Sequence, residues 1–182
     1  KEQLPGALEA MQAIGAPGVV LSPCNRSEFY VLDTAGDGDP AGSQPADASE
    51  YSSERIKRFL VDHFDISLLD LDRYLYVRRG YDCIHHLFRV ASRLDSMILG
   101  EDQIIGQARD AYDAATKAGT AQGPLAQLLQ QGLRAGRRVR RDTGIGENAL
   151  SVSRACVEMA KSVVGDLTSS RVLVVGAGDA GE

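Results

Sequence analysis

Three observations predict an α+β unit, a helical unit and the opening of a parallel α/β domain in this 182-residue chain. Short runs rich in β-branched and aromatic residues cluster before residue 80. From there to about residue 141, apolar residues recur at helical spacing and glycines punctuate the pattern. Near the end, the apolar run Arg171-Val172-Leu173-Val174-Val175 leads straight into Gly176-x-Gly178-x-x-Gly181.

The elements follow in order. Residues 2–14 suit a short helix. Gly18-Val19-Val20-Leu21 reads as a strand, and Pro23 then removes a backbone donor and holds Ser22 extended. Glu28-Phe29-Tyr30-Val31-Leu32 is a second strand candidate. Residues 34–50 are Gly, Asp, Pro, Ala and Ser with little apolar bulk, the composition of a mobile loop. Helix resumes near Ser53, with Ile56, Phe59, Leu60 and Phe64 on one stripe. Arg73-Tyr74-Leu75-Tyr76-Val77 reads as another strand. A helix carrying Leu87, Val90, Ala91, Leu94 and Ile98 is expected to run on to Gly100. A second, with Ile104, Ala108, Tyr112 and Ala115, ends near Gly119. A third starts near Pro124 and carries Leu125, Leu129 and Leu133. After a Gly-punctuated break at 142–148, Val152, Cys156, Met159 and Val163 mark one more amphipathic helix.

Composition narrows the functional classes. A net charge of −5 and a pI near 5.2 argue against a globally basic nucleic-acid binder, so any such partner needs a local patch. Cys24, Cys83 and Cys156 are dispersed and odd in number, which disfavours a zinc site or a disulfide framework and fits a reducing cytoplasm. No apolar run approaches the roughly 20 residues that cross a bilayer. The chain begins at Lys1 and stops inside the glycine turn, as a piece of a longer protein is expected to do.

Several groups could carry chemistry. Cys24 follows a strand and stands two residues from Arg26, a cation that favours the nucleophilic thiolate; a small buried apolar role is the alternative. On an uninterrupted helix, His86, Arg89, Arg93 and Ser96 fall on one side, either facing an anionic substrate or simply solvated. Arg134, Arg137, Arg138 and Arg141, with Arg140 alongside, make a basic face that suits either a helix C-terminus or nucleic-acid phosphates. His85 reads as a bystander. Cys83, Cys156, Met11, Met97 and Met159 read as packing residues, and Glu101 with Asp102 as dipole complementation. Gly176, Gly178 and Gly181 match a dinucleotide-binding turn, in which backbone amides approach a pyrophosphate.

Taken together, the strings Leu21-Ser22-Pro23-Cys24-Asn25-Arg26-Ser27-Glu28-Phe29-Tyr30, His86-Leu87-Phe88-Arg89-Val90-Ala91-Ser92-Arg93-Leu94-Asp95-Ser96-Met97-Ile98-Leu99-Gly100-Glu101-Asp102-Gln103-Ile104, Gly136-Arg137-Arg138-Val139-Arg140, Ser151-Val152-Ser153 and Val174-Val175-Gly176-Ala177-Gly178 resemble the glutamyl-tRNA reductases. Their order and spacing agree over nearly all of the chain outside 34–50. The resemblance implies a ferredoxin-like unit over 1–78 lacking its first strand, an attached helical bundle over 79–147, and the truncated start of a Rossmann domain over 148–182. It implies NADPH-dependent reduction of glutamyl-tRNA(Glu) to glutamate-1-semialdehyde through a thioester on Cys24, the first step of five-carbon tetrapyrrole synthesis. Arg26 and Ser96 would bind the glutamyl group, His86 would assist in the same pocket, and Gly176, Gly178 and Gly181 would bind the cofactor. No metal is implied. A homodimer, an aminomutase that takes up the aldehyde and a cytoplasmic location are also implied, with hydride transfer beyond the reach of this stretch alone. The alternative is a non-catalytic RNA-binding or regulatory module that uses the arginine face. Two departures from the family pattern stand out: Pro23 for the usual Thr and Arg93 for the usual Gly.

Overall fold

A computed structural model describes residues 4–23, 26–32, 48–64, 66–96, 103–146, 152–173 and 175. The described part is helix-rich, with one two-stranded antiparallel sheet. Helix α1 (Leu4–Ala13) places Pro5 in its first turn, where no intrahelical donor is lost, and buries Ala7, Leu8 and Met11. Gly15, at φ +70°, ends it in the left-handed conformation. Strands β1 (Gly18–Leu21) and β2 (Glu28–Val31) pair from Gly18 with Val31 to Leu21 with Glu28. Every β1 residue is buried, whereas β2 buries Glu28 and Tyr30 more deeply than Phe29 and Val31. Gly18 is required at the sheet's far end, because a Cβ there would lie 2.3 Å from the Tyr30 carbonyl oxygen.

Helix α2 (Ala48–Phe64) begins inside the expected loop, and residues 34–47 of that loop lie outside the described residues. Ile56, Phe59 and Leu60 are buried as the periodicity predicts, while Phe64 is exposed. Helix α3 (Leu68–Tyr74) opens on Ser67, whose hydroxyl accepts the Asp70 N–H at 3.1 Å. The strand expected over 73–77 is therefore corrected. Arg73 and Tyr74 finish α3; Leu75 and Arg79 have extended dihedral angles, but residues 75–79 pair with no strand among the described residues. The cap and a Leu75 N–H bond to Leu71 O decide for helix over the local β propensity.

Helix α4 (Gly80–Ala91) is also corrected, since it stops well short of Gly100. Leu94 N–H bonds to Arg89 O at 2.9 Å and Arg93 N–H to Val90 O at 3.0 Å, with Arg93 at φ +65°. These two bonds form a Schellman cap, in which the left-handed position strongly favours glycine. Arg93 thus occupies a glycine-type position, a physical reason for the residue usual there in the resembling family. The helix face expected to join His86, Arg89, Arg93 and Ser96 does not exist: His86 and Arg93 are buried, Arg89 is exposed, and Ser96 lies past the turn.

Helices α5 (Gln103–Lys117) and α6 (Gly123–Asp142) match expectation, followed by a 3-10 turn at Gly144–Gly146. One hydrophobic cluster joins α1, the sheet, α2, α4, α5 and α6, with Leu8, Val19, Phe59, Leu87, Ala108 and Leu129 among its members. Helix α7 (Val152–Val164) forms where predicted, yet Met159 and Val163 are 68% and 80% exposed and Cys156 is exposed, against the packing roles expected for them. The apolar run 171–175 reads as a strand, yet residues 171–173 and 175 are exposed and pair with no strand among the described residues. Among the described residues no helix is long and apolar enough to cross a membrane.

Candidate functional site around Glu28

The hairpin that joins β1 to β2 spans residues 22–27, and the hydroxyls of Ser22 and Ser27 lie 2.8 Å apart across its base. Cys24 and Asn25 lie outside the described residues; their described neighbours are Pro23 and Arg26. From Arg26 onward the alternation of a strand puts Arg26, Glu28 and Tyr30 on one side. That side faces inward, toward His86 on α4 and Tyr76 in the segment after α3.

Glu28 is the hub, 6% exposed. Its Oε1 lies 2.9 Å from Arg26 Nε, 2.8 Å from His86 Nε2, and accepts the Tyr76 hydroxyl at 2.8 Å. Its Oε2 accepts the Tyr30 hydroxyl. A carboxylate has about four acceptor sites, so Glu28 is close to saturated. Asp95, just past the α4 cap, closes the other side. Its Oδ1 is 3.5 Å from Arg26 Nη1, its Oδ2 is 3.0 Å from His86 Nδ1, and its backbone carbonyl accepts from Arg26 Nη2. The imidazole of His86 is thus held at both nitrogens and meets the Tyr76 ring edge-on at 5.8 Å.

The electrostatics follow from this enclosure. Burial and the bond to Glu28 push the Tyr76 hydroxyl from 10.0 up to about 12, and the same two causes raise Tyr30 further. Both phenols therefore stay protonated donors. Because the folded value of Tyr76 exceeds the unfolded one, its contribution to stability is complete below about pH 10 and is lost as pH rises through about 12. In alkaline unfolding, Tyr76→Phe should lose less stability between those pH values than the parent protein. Parallel curves for the two would show that the phenol is not bonded in the folded state. Cys83, half-buried nearby, has its thiol pushed up by burial and by the Glu28 charge, which fits the packing role expected for it.

Of the residues singled out from sequence, the structure brings Arg26 and His86 together through Glu28 and Asp95. Ser96 is next to Asp95, with its Oγ buried and without a hydrogen-bond partner among the described residues. Gly176, Gly178 and Gly181, like Met97, Glu101 and Asp102, lie outside the described residues. His85 is exposed and stacks on Tyr81, as a bystander would. Arg134, Arg137, Arg138, Arg140 and Arg141 are all exposed on α6, and Arg138 and Arg141 pair with Asp142 at 3.3 and 2.8 Å. Glu28, Tyr76 and Asp95 were missed. The i, i+2 spacing of Arg26, Glu28 and Tyr30 was the available signal. No group of His, Cys, Asp and Glu that could hold a metal occurs among the described residues.

Such an arrangement can present a guanidinium, and a hydroxyl without a partner among the described residues, beside the connection between β1 and β2. That suits recognition of a small anionic group next to a nucleophile.

Comparison with known proteins gives consistent matches. Residues 1–143 match the family model described as the glutamyl-tRNAGlu reductase N-terminal domain. Glutamyl-tRNA reductase of Syntrophotalea carbinolica is 43% identical over 175 residues, covering 95% of this chain and 37% of that protein. The protein of the same name from Solibacter usitatus is 41% identical over 184 residues, covering all of this chain and 41% of its own length. Among solved structures, glutamyl-tRNA reductase from Methanopyrus kandleri superposes with a TM-score of 0.59 at 32% identity, covering 98% of this chain and 40% of that one. The chain therefore spans about two fifths of the length of these relatives.

Proposed function

The chain belongs to the glutamyl-tRNA reductase family, and from that premise we propose that it supplies the catalytic part of an enzyme reducing glutamyl-tRNA(Glu) to glutamate-1-semialdehyde. The observation that carries this reading is the Glu28-centred cluster, which ties Arg26 and His86 together at the root of the hairpin containing Cys24. In the proposed first step the Cys24 thiolate attacks the ester carbonyl carbon, the carbon–oxygen bond to the tRNA breaks, and the 3′ oxygen leaves with a proton. A thioester remains on Cys24.

Arg26 provides the cation for the glutamyl carboxylate. Its guanidinium has five N–H donors in a planar fork, so the contacts to Glu28 and Asp95 orient it while leaving donors for substrate. Ser96 brings a hydroxyl that none of the described residues engages. His86, engaged at both nitrogens by Glu28 and Asp95, acts in the proposal as a positioning residue that holds these two carboxylates, and through them Arg26, in the same pocket.

Gly176, Gly178 and Gly181, which lie outside the described residues, would hold NADPH, which would supply hydride chemistry. Residues 1–78 are proposed as the ferredoxin-like part, 79–147 as the helical part and 148–182 as the opening of the cofactor domain. A homodimer, an aminomutase acceptor for the aldehyde and a cytoplasmic location complete the proposal. The rival non-catalytic module draws little support, because the family match over residues 1–143 favours the enzyme.

The test is transfer of label from tRNA charged with labelled glutamate to the full-length enzyme. Hydroxylamine-sensitive label on the protein, absent in Cys24→Ala, is the expected outcome. A folded enzyme that takes no Cys24-dependent label contradicts the reading.

A further inference from the structure

We propose that Asp95 receives the α-ammonium group of the glutamyl ester, beside Arg26, which takes its carboxylate. The inference rests on the function proposed above and names the side chain that reads the substrate's positive charge.

Glutamate joined to a tRNA through its α-carboxyl keeps two charged groups, an ammonium and a side-chain carboxylate. Four bonds of about 1.5 Å link the ammonium nitrogen to the carboxylate carbon, so the two lie at most about 5 Å apart. A site for such a pair needs a cation and an anion side by side, each with capacity to spare. Arg26 Nη1 and Asp95 Oδ1 stand 3.5 Å apart, longer than a usual hydrogen bond, so neither is used up by the other. Glu28 is a poor candidate for the anion. Its side chain is 5% exposed, and its two oxygens already face Arg26, His86, Tyr30 and Tyr76. The Asp95 side chain is 35% exposed, and its Oδ2 faces His86 Nδ1 at 3.0 Å. Oδ1 is therefore the carboxylate oxygen with room for another donor.

The main chain holds this residue in place. Arg93 at φ +65° turns the chain at the end of α4, and Arg89 Nη2 donates to the Leu94 carbonyl at 3.4 Å. The Asp95 carbonyl accepts from Arg26 Nη2, so the two residues are joined through backbone as well as side chain. An acceptor already in position loses little freedom when its ligand arrives. Ser96 follows directly, and its buried Oγ has no partner among the described residues. An ammonium with three N–H donors can use that oxygen as a second acceptor. An acyl group without the amine would leave these acceptors beside it unmatched. The contact thus selects for an α-amino acid, where Arg26 alone would select for any acid of the right length.

The test compares two esters of one tRNA, carrying either labelled glutamate or labelled glutarate, which keeps the carbon chain and carboxylate but has no amino group. Single-turnover labelling of Cys24 in the full-length enzyme is followed at about pH 6.5, where α-amino groups are cationic. Each rate is divided by that ester's rate with a free thiol, which removes the difference in intrinsic reactivity. The parent should then favour the glutamyl ester by about tenfold or more, the scale of one hydrogen bond between charged groups. Asp95→Asn keeps the side-chain shape and the main-chain contact to Arg26. It should slow glutamyl labelling about tenfold more than glutaryl labelling, and that excess is the coupling between Asp95 and the ammonium. Asp95→Glu, which keeps the charge, should recover part of the preference. Equal losses on the two esters overturn the ammonium contact and leave Asp95 as a support for Arg26 and His86. A parent enzyme with no preference overturns it without any variant. In either case Cys24-dependent label leaves the proposed function standing. A parent enzyme that takes no label at Cys24 from either ester overturns the function and the contact together.

Discussion

Glu28→Ala is expected to destabilise the fold by about 3–5 kcal/mol, the scale for removing one partner of a buried charged pair. For a domain of this size that corresponds to a melting point lower by roughly 6–20 °C. The cause is what the substitution leaves behind. Arg26 and His86 lose the carboxylate they share, and the hydroxyls of Tyr30 and Tyr76 lose their acceptor. A buried donor without a partner forfeits its hydration without return. Glu28→Gln should be milder, since the shape is kept and one oxygen still accepts. Its amide nitrogen, however, points two donors at groups that are themselves donors. A melt in which alanine and glutamine variants match the parent would show that the cluster does not hold the fold.

Gly136→Ala on α6 should lower stability by about 1–3 kcal/mol, the cost of forcing extra bulk into a packed contact. A Cβ there would lie 2.2 Å from the Ala91 carbonyl oxygen and 2.8 Å from its carbon, so backbone must move. Ala91 ends α4, and the turn that follows it carries Arg93 and Asp95. The same displacement should therefore loosen the Asp95 contacts to His86 and Arg26. Gly132, one turn earlier on α6, is the control. Its Cβ would meet Leu87 Cγ at 3.5 Å, an ordinary contact, and Gly→Ala in a helix interior gains up to about 1 kcal/mol. Gly132→Ala should be neutral or stabilising by thermal melting while Gly136→Ala is not. Equal effects at the two positions would refute the close approach of α4 and α6.

The helices α5 and α6 were legible because their apolar stripes, glycine stops and Pro124 all agree. The early end of α4 was not, because the residue in the left-handed cap position is Arg93, which carries none of glycine's signal. Residues 73–77 have β propensity, but a strand also needs a neighbour, and the Ser67 cap favoured a helix through Tyr74. Exposure along α7 likewise depends on what packs against it, which periodicity does not report. In the site, Arg26 and His86 were found through resemblance, while the helix face meant to unite His86 with Ser96 was the wrong geometry. What unites Arg26 and His86 is a carboxylate on a strand. Alone in a sequence, such a Glu reads as a solvated charge; its burial becomes visible only once α4 and Tyr76 close over it.

The claim at the centre is that Glu28 sets Arg26 and His86 in position for acyl transfer to Cys24. Single-turnover transfer of glutamate from glutamyl-tRNA to Cys24→Ala, Glu28→Gln and wild-type full-length enzyme, with tRNA affinity measured alongside, addresses it. Misplacing reacting groups by about 1 Å costs on the order of 100-fold. Glu28→Gln should therefore slow label appearance by about that factor while binding tRNA as the parent does, and Cys24→Ala should take no label. A Glu28→Gln enzyme that labels at the wild-type rate, or label that persists without Cys24, would contradict the assignment.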